Sequence, residues 1–423
     1  MKKTGLACFL LLFPALLLAQ EGVLRLGEVL QQALERNPKI KSVGLEAQAL
    51  SFRIPQERSL PDPMVSFSLK NMGFPEFTLG REVMSGIGLS FSQAIPFPGK
   101  LRLKGEIAEK AFEQKQEVRN SVVLNVLKEV KTAYFELYAL HKSIAILLEQ
   151  KALLQKALEL TETKYAVGNG VQADVLKAKV EISKIEEMIT PMTEMITSLN
   201  ARINLLLDFP PDRPLGTPQD PEVENLPVSL EDIKKAAEAS SPMIREASLM
   251  VDEGGKMVAL ARKELSPNFV VGGGWEFKGS LPSMYEVMVG LEIPLYRKTK
   301  QSKMLEESLS RLDSSKSGLA STKNDVTFMV TEDFLKARSA ESLIRLYKDK
   351  IIPQASLTVE SSLASYQVNK TDFLALLNDI NTYFSYQMAY YRELSELWSS
   401  IARLEEYSAT QIVNWGGKNE ANN

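Results

Sequence analysis

The sequence predicts a mainly helical chain with membrane-type β-strands, built from two copies of one plan. Three observations predict it: paired landmarks recur in the same order, four segments alternate apolar and polar residues, and four long stretches carry helical patterning. The net charge of −3 offers no basic field for nucleic acid. Composition therefore argues against a nucleic-acid-binding protein but excludes few other classes of protein.

The N-terminus predicts a secretory signal peptide in residues 1–19. A positive start precedes a short apolar run, and Ala19 offers a small-residue cleavage point before Gln20. A retained membrane anchor is the alternative, but the run is too short and polar sequence follows at once. Cys8, the single cysteine, should leave with the signal, so we expect a mature chain without disulfides or thiolate metal sites.

Internal repetition divides the rest of the chain. Four landmarks of the first half recur in the second at nearly constant separation: Pro38 and Pro242, Pro63 and Pro267, Pro96 and Pro294, Gly168 and Asn369. The segment 209–227, rich in Pro and Asp, predicts a linker. We therefore expect a first repeat over 20–208, a second over 228–408 and a polar tail over 409–423.

Each repeat is expected to contain a short helix, two strands and two long helices. Pro38 should end the opening helix of the first repeat. Pro191 and Pro353 should disturb two of the long helices. The expected strands span about 63–71, 85–95, 268–278 and 285–294, and the expected long helices about 101–166, 171–207, 299–365 and 371–406.

The strands alternate cleanly between one apolar face and one small or polar face. Val65, Phe67 and Leu69 alternate with Ser66 and Ser68, for example. A soluble antiparallel sheet is the ordinary alternative for such strands. However, two hairpins in a chain that is otherwise helical cannot bury much as a sandwich, which favours membrane strands.

The strand count predicts an oligomer. Four membrane strands cannot close a barrel, because the smallest barrels have eight, and an open edge in lipid leaves backbone groups unpaired. Three copies would supply twelve strands around a hole. Their long helices, apolar on two sides, would close a helical cylinder, although a solvent-exposed coiled coil is the alternative.

Two kinds of turn connect the strands and helices of each repeat. In the elbow, Ile95-Pro-Phe-Pro-Gly99-Lys, Pro96 and Pro98 should end the strand and Gly99 should allow an abrupt turn into a helix. Pro294 takes the corresponding place in the second repeat. We interpret the elbow as a rigid connection without chemistry.

The long helices meet at two hairpin tips, Val167-Gly168-Asn169-Gly170 and Val368-Asn369-Lys370-Thr371. Chain reversal there requires positive φ, which Gly168 and Asn369 both tolerate. The tips are either surfaces that contact a partner or tight turns without one.

The two-copy plan, the elbow and the paired tips resemble the TolC-type outer-membrane efflux proteins, from about Val23 to Tyr407. The elbow is most similar to the cation-efflux branch of that family. The resemblance implies a homotrimer in the bacterial outer membrane, with a twelve-stranded β-barrel above a periplasmic α-helical barrel. It also implies docking onto a periplasmic adaptor (membrane fusion) protein and an inner-membrane pump, commonly of the resistance-nodulation-division type.

In that family, acidic residues beyond the second tip narrow the periplasmic entrance. The matching positions here hold Ala375 and Asn378, and the equivalents of the first tip hold Asp174 and Lys177. The sequence therefore departs from a doubly acidic entrance. Asp372 and Asp379 could substitute for those acids, or could serve as a helix N-cap and a solvated residue.

Few residues of the sequence are candidates for catalysis or for metal binding. His141, the single histidine, falls on an apolar helical stripe and is expected in the core or at an interface. Without catalytic or nucleotide-binding motifs, we expect no enzyme activity and no cofactor. Met188, Met192 and Met195 share one helix face, as packing filler or as contacts for a soft metal.

The function expected from the resemblance is a passive efflux conduit, with metal cations as the first candidate cargo. A channel for drugs or for type I protein secretion stays within the same family. A periplasmic coiled-coil adaptor or structural protein is the rival from another class, and it predicts no membrane strands.

Overall fold

The computed structural model describes residues 22–221 and 225–415. It consists of very long helices that carry a small sheet at one end. The predicted signal peptide and residues 416–423 of the predicted tail lie outside the described residues. The elements are β1 (Val23–Leu24), α1 (Leu26–Arg36), α2 (Pro38–Arg58), β2 (Met64–Lys70), β3 (Gly86–Ile95), α3 (Lys100–Ala166), α4 (Gln172–Leu206), β4 (Thr217–Pro218), α5 (Leu230–Ser240), α6 (Pro242–Lys263), β5 (Asn268–Lys278), β6 (Leu281–Glu292), α7 (Gln301–Leu346), a π-helical turn (Tyr347–Ile351), α8 (Ile352–Gln367) and α9 (Phe373–Ser408).

Each repeat opens with two helices, which corrects the expectation of one. Pro38 does follow the end of α1, but it is also the first residue of α2. The Asn37 side chain caps this second helix, accepting hydrogen bonds from the backbone N–H groups of Lys39 (2.9 Å) and Ile40 (3.3 Å). Proline is tolerated in a first turn because its missing N–H has no partner there. Ser241 and Pro242 take the corresponding N-cap and first-turn positions between α5 and α6, but the Ser241 side chain accepts no capping hydrogen bond.

The two prolines expected to disturb the long helices are both accommodated. The segment before Pro353 forms the π turn, and the right-handed helical backbone of Leu346 and Ile352 joins α7, the turn and α8 into one rod. Pro191 lies inside α4, which continues to Leu206. The ring removes the N–H that would otherwise reach the carbonyl of Glu187. Residues at helical spacing on α4 therefore share one face both before and after Pro191.

Helix α3 is the central rod of the helical layer. Near the sheet it lies between α2 and α6, and towards its far end it lies between α4 and α9. The α7–α8 rod packs beside α6 and α9, so α2 and α4 border the layer on one side and α7–α8 on the other. Within the described ranges, no helix is both long enough and apolar enough to cross a bilayer.

A strap of short elements, β1, α1, β4, α5 and residues 409–415, crosses one side of this layer at mid-height. The Tyr134 hydroxyl of α3 has one proton, which it shares between the carbonyl oxygens of Leu24 (2.9 Å) and Gln219 (3.0 Å) in the strap. Burial raises the pKa of Tyr134 to about 12. The strap therefore marks one side of the layer as its outer, covered side.

Residues 409–415 are part of this core, which corrects the expectation of a polar tail there. The Trp415 ring packs 5.1 Å from the Phe135 ring. Glu405 of α9 accepts hydrogen bonds from the backbone N–H of Ile412 (2.8 Å) and Val413 (3.0 Å) and from the Trp415 indole (2.7 Å). The segment is fixed because its donors are satisfied and its apolar side chains are buried.

The sheet has the order β2-β3-β5-β6 and is antiparallel throughout. Its register aligns Phe67, Leu89, Trp275 and Tyr285 in one row across the four strands. The neighbouring row on the opposite face contains Ser66, Ser90, Gly274 and Glu286. One face is therefore apolar and the other small or polar, as the alternation predicts.

Candidate functional site

The two hairpin tips have the same backbone geometry. Gly168 has φ +76° and Asn369 has φ +60°, both in the left-handed region. In the first tip, the N–H of Asn169 donates to the carbonyl of Lys164 (2.8 Å). In the second, the N–H of Lys370 donates to the carbonyl of Ser365 (2.9 Å). Both tips are thus Schellman-type caps followed at once by the next helix.

Lys164 joins the first tip to the second. Its side chain is buried, and its ammonium donates hydrogen bonds to the backbone carbonyl of Tyr366 and to Oδ1 of Asn369 (2.5 Å). The same ammonium lies 4.3 Å from the centroid of the Tyr366 ring, a cation–π contact. The two long-helix hairpins of one chain are therefore tied together at their ends.

Tyr366 is the most connected residue between the tips. Its ring packs 5.7 Å from that of Phe373 at the start of α9. Burial raises the pKa of Tyr366, and the negative charge of Asp174 on the first hairpin adds to that rise. Asp174, predicted at the entrance, therefore faces the second hairpin of its own chain.

The other predicted entrance residues do not converge in the same way. Asp372 is the N-cap of α9, accepting a hydrogen bond from the backbone N–H of Ala375 (2.7 Å). Asp379 accepts a hydrogen bond from the Ser362 hydroxyl of α8. Asp372 thus has the N-cap role that the sequence left open. Asp379, for which the alternative was a solvated position, is instead partly buried against Ser362. Lys177 and Asn378 are exposed on the helix surfaces.

The tips also present apolar side chains to solvent. Val167, Val171 and Val368 are all more than half exposed. The neighbouring polar tip residues Asn169, Gly170, Lys370 and Thr371 complete this surface. It lies about 100 Å from the sheet, because α3 has 67 residues that each rise about 1.5 Å.

At the other end of α3, the elbow is clamped to the connection between α6 and β5 in the second repeat. Gly99 has φ +89° and precedes α3, between the Pro96–Pro98 turn and the helix. The buried ammonium of Lys100 donates hydrogen bonds to Glu264 (2.8 Å) and to Asn268 Oδ1 (2.8 Å). Pro294 lies two residues beyond the end of β6. The elbow therefore fixes the angle between sheet and helices, and Lys100 is a contributor that the sequence did not reveal.

The apolar face of the sheet is not covered by any described element. On the two outermost strands, Phe67 is 67% exposed and Val287 is 87% exposed. The outer sides of β2 and β6 likewise have no strand beside them within the described residues. Such a sheet needs an apolar surrounding for its face and further strands for its edges.

His141 lies on α3 at the height of the strap, partly buried. Burial lowers its pKa, because the charged imidazolium is poorly solvated there. The prediction of a core or interface position is consistent with this partial burial.

Comparison with solved structures shows the same architecture over nearly the whole chain. The chain is similar to CusC, for which folding and transmembrane channel formation are described, with 16% identity over 91% of this chain and 92% of CusC and a TM-score of 0.77. It is similar to the outer membrane protein VceC of Vibrio cholerae, with 16% identity, 92% and 97% coverage and a TM-score of 0.77. The open MtrE outer membrane channel of Neisseria gonorrhoeae gives 16% identity, 92% and 89% coverage and a TM-score of 0.72.

Sequence comparison gives a family match for one part of the chain. None of the curated proteins matches the chain in sequence. Residues 29–189, from α1 through the first tip and into α4, match the family model described as outer membrane efflux protein. The rest of the chain completes the fold of the solved channels, with its sheet at one end and its helical layer at the other. Residues 29–189 are therefore similar to the outer membrane efflux proteins, and the chain has the fold of the solved outer membrane channels over nearly its whole length.

Proposed function

We propose that three copies of this chain close one channel that conducts cargo passively from a periplasmic adaptor and pump to the cell exterior. The observation that carries the proposal is the sheet, which has an exposed apolar face and an open edge on both β2 and β6. A single copy in lipid would leave both edges unpaired, which is costly.

The geometry of the edges supports a closed ring. β2 and α2 lie on one side of the chain, whereas β6 and α7 lie on the other. Because the two sides are different surfaces, contact between copies is head-to-tail, and such contacts form rings when the rotation closes. Three copies supply twelve strands, within the range of known membrane barrels. The same rotation would close the helical layers into a tube below the barrel.

We propose that the hairpin tips contact the periplasmic adaptor. Val167 and Val368 offer exposed apolar contacts at the end farthest from the sheet. The adaptor would in turn couple the tube to an inner-membrane pump, in keeping with the family resemblance. Dilation of the tips on adaptor contact would open the tube, and the chain itself would perform no energy-consuming step.

For the cargo, the elbow sequence Ile95–Lys100 favours metal cations, as in the branch that it resembles. Export of drugs or proteins is the alternative within the same architecture. Susceptibility of a deletion strain to metal salts and to drugs separates these two cargo classes.

Conductance in planar bilayers tests the channel. Purified mature protein should insert and produce discrete conductance steps. Val287→Arg places a charge on the apolar face and should reduce insertion, at a cost of about 2–4 kcal/mol per copy near the bilayer midplane. The matched variant Glu286→Arg lies on the opposite face of the same strand and should insert normally while altering ion selectivity. Absence of conductance from the unmodified protein, or equal loss of insertion in both variants, would contradict the proposal.

A further inference from the structure

A cavity of about 790 Å³ lies on the side of the helical layer opposite the strap. It is bounded by α3, α4, α9 and the π turn. On α3, Thr132 and Glu136 line the cavity, whereas Tyr134 contacts the strap. Two residues correspond to a rotation of about 200° around a helix, so the two groups point in opposite directions. The cavity therefore lies on the side of the layer that the strap does not cover.

Four methionines from two helices line this cavity. Met188, Met192 and Met195 come from α4, and Met388 comes from α9. The first three keep their common helix face because α4 is continuous through Pro191. Met388, which no sequence pattern connects to the others, lines the same cavity from α9.

The exposure of these methionines argues against packing filler. A filler methionine completes a core and is buried. Met192 and Met388 do pack against the core cluster of the lower helices. In contrast, Met188 is 40% exposed and Met195 is 55% exposed, towards an open cavity. Leucine and methionine have similar helix propensities and similar volumes, so the property that distinguishes methionine at these exposed positions is its thioether sulphur.

The charged residues around the cavity largely neutralise one another, so the cavity has no strong electrostatic field of either sign. Arg403 forms ion pairs with Asp333 (2.7 Å) and Glu396 (2.8 Å). Arg392 lies 3.7 Å from Glu393. Because these charges are largely balanced, a ligand would be selected by the soft sulphur atoms rather than by net charge. Within the described ranges, no group of three or more His, Cys, Asp or Glu side chains could hold a metal ion.

We propose that the four thioethers form a binding site for a soft monovalent cation of the Ag⁺ or Cu⁺ type. Neutral thioether ligands favour such cations over hard ions like Mg²⁺ or Ca²⁺. The flexible methionine side chain allows sulphur atoms on successive helical turns to approach one ion. The site names a substrate class for the proposed channel. It rests on that proposed function, because the side without the strap faces a passage only if the copies close into a ring.

Binding of Ag⁺ to the purified mature protein tests the site directly. Calorimetric titration should give one saturable site per chain, with no comparable signal for Mg²⁺. Combined substitution of Met188, Met192, Met195 and Met388 by leucine should weaken Ag⁺ binding at least tenfold, because leucine keeps the volume and removes the sulphur. A control variant with Met243, Met250, Met304 and Met329 changed to leucine should bind Ag⁺ as tightly as the unmodified protein.

Three results would overturn the proposal: no saturable Ag⁺ binding, equal loss in both variants, or unchanged affinity in the cavity variant. Saturable uptake of an amphipathic dye without Ag⁺ binding would likewise overturn it and assign the cavity to organic cargo. Bilayer conductance of the cavity variant serves as the folding control and should persist. Failure of Ag⁺ binding with intact conductance would overturn only this site, whereas absence of conductance in the unmodified protein would contradict the channel itself.

Discussion

The ammonium of Lys164 donates a hydrogen bond to the backbone carbonyl of Tyr366, joining the first hairpin tip to the second. A buried cation has little freedom to leave such a position, because it would lose its acceptors and the face of the aromatic ring. The two hairpins of one chain therefore move as one body unless this link breaks. If the tips dilate to open the tube, Lys164 opposes the opening.

Lys164→Met should make the tips easier to separate. A hydrogen bond from a charged donor contributes about 1.5–3 kcal/mol, and about 1.4 kcal/mol corresponds to a tenfold change. The open fraction in bilayer recordings should therefore rise roughly tenfold or more. The control is Lys179→Met, which removes an exposed ion pair to Glu162 within the first hairpin. An unchanged open fraction in Lys164→Met would contradict the role of the link.

Gly168→Ala should destabilise the first tip through backbone strain alone. The glycine has φ +76°, and a Cβ placed there meets nothing within 4 Å. The cost should be about 1–2 kcal/mol, the penalty for a side chain in the left-handed region. Gly255→Ala is the matched control in helix α6, where a Cβ also meets nothing within 4 Å. It should stabilise the protein by up to about 1 kcal/mol. Denaturant titration measures the free energy of unfolding of both variants. Changes of the same sign in the two variants would be inconsistent with this explanation.

Glu405→Gln should loosen the C-terminal part of the strap. Its carboxylate pairs with the buried ammonium of Lys131 at 2.5 Å and holds residues 412–415. Removing one partner of a buried pair costs about 3–5 kcal/mol, because the other charge stays buried without compensation. Limited proteolysis should then cut near residues 409–415. Glu332→Gln, which breaks an exposed pair with Lys336, should cost less than about 1 kcal/mol. Equal resistance to proteolysis in both variants would refute the assignment.

His141 should make the protein sensitive to mild acid. Burial lowers its pKa below the usual 6.5 in the folded state, so the unfolded chain binds a proton at higher pH than the folded one. The contribution of neutral His141 to the stability of the folded protein is complete above pH 6.5. It is lost as the pH falls through the lowered pKa of His141. Melting curves between pH 7.5 and 5.5 should show a decline in stability that His141→Gln reduces. A decline of equal size in the variant would assign the acid sensitivity to other groups.

Local patterns in the sequence are sufficient to predict the features that depend only on neighbouring residues. The alternation of Phe67 and its neighbours predicts the two faces of the sheet, since side chains alternate along any strand. The left-handed turns at Gly168 and Asn369 follow from the residues that tolerate positive φ. These features depend on a few adjacent residues.

Features that depend on ambiguous or distant residues are harder to predict. Pro38 is compatible both with the end of one helix and with the first turn of the next, and the Asn37 cap decides between them. The link from Lys164 to Asn369 joins residues far apart in the chain, and no periodicity relates them. The same holds for Met388 beside the methionines of α4. Only the packing of the two repeats against each other brings these groups together.

Cross-linking between the two sheet edges tests the central claim most directly. Cysteine is introduced at Phe67 on β2 and, in separate variants, at Tyr285, Val287 or Val289 on β6, in a mature chain expected to lack other cysteines. If β6 of one copy pairs with β2 of the next, oxidation in membranes should give cross-linked species of two and three chains and none larger. The control pairs Leu89→Cys on the inner strand β3 with Val287→Cys and should remain monomeric. A ladder extending beyond three chains, or monomers alone for every edge pair, would contradict a three-copy barrel.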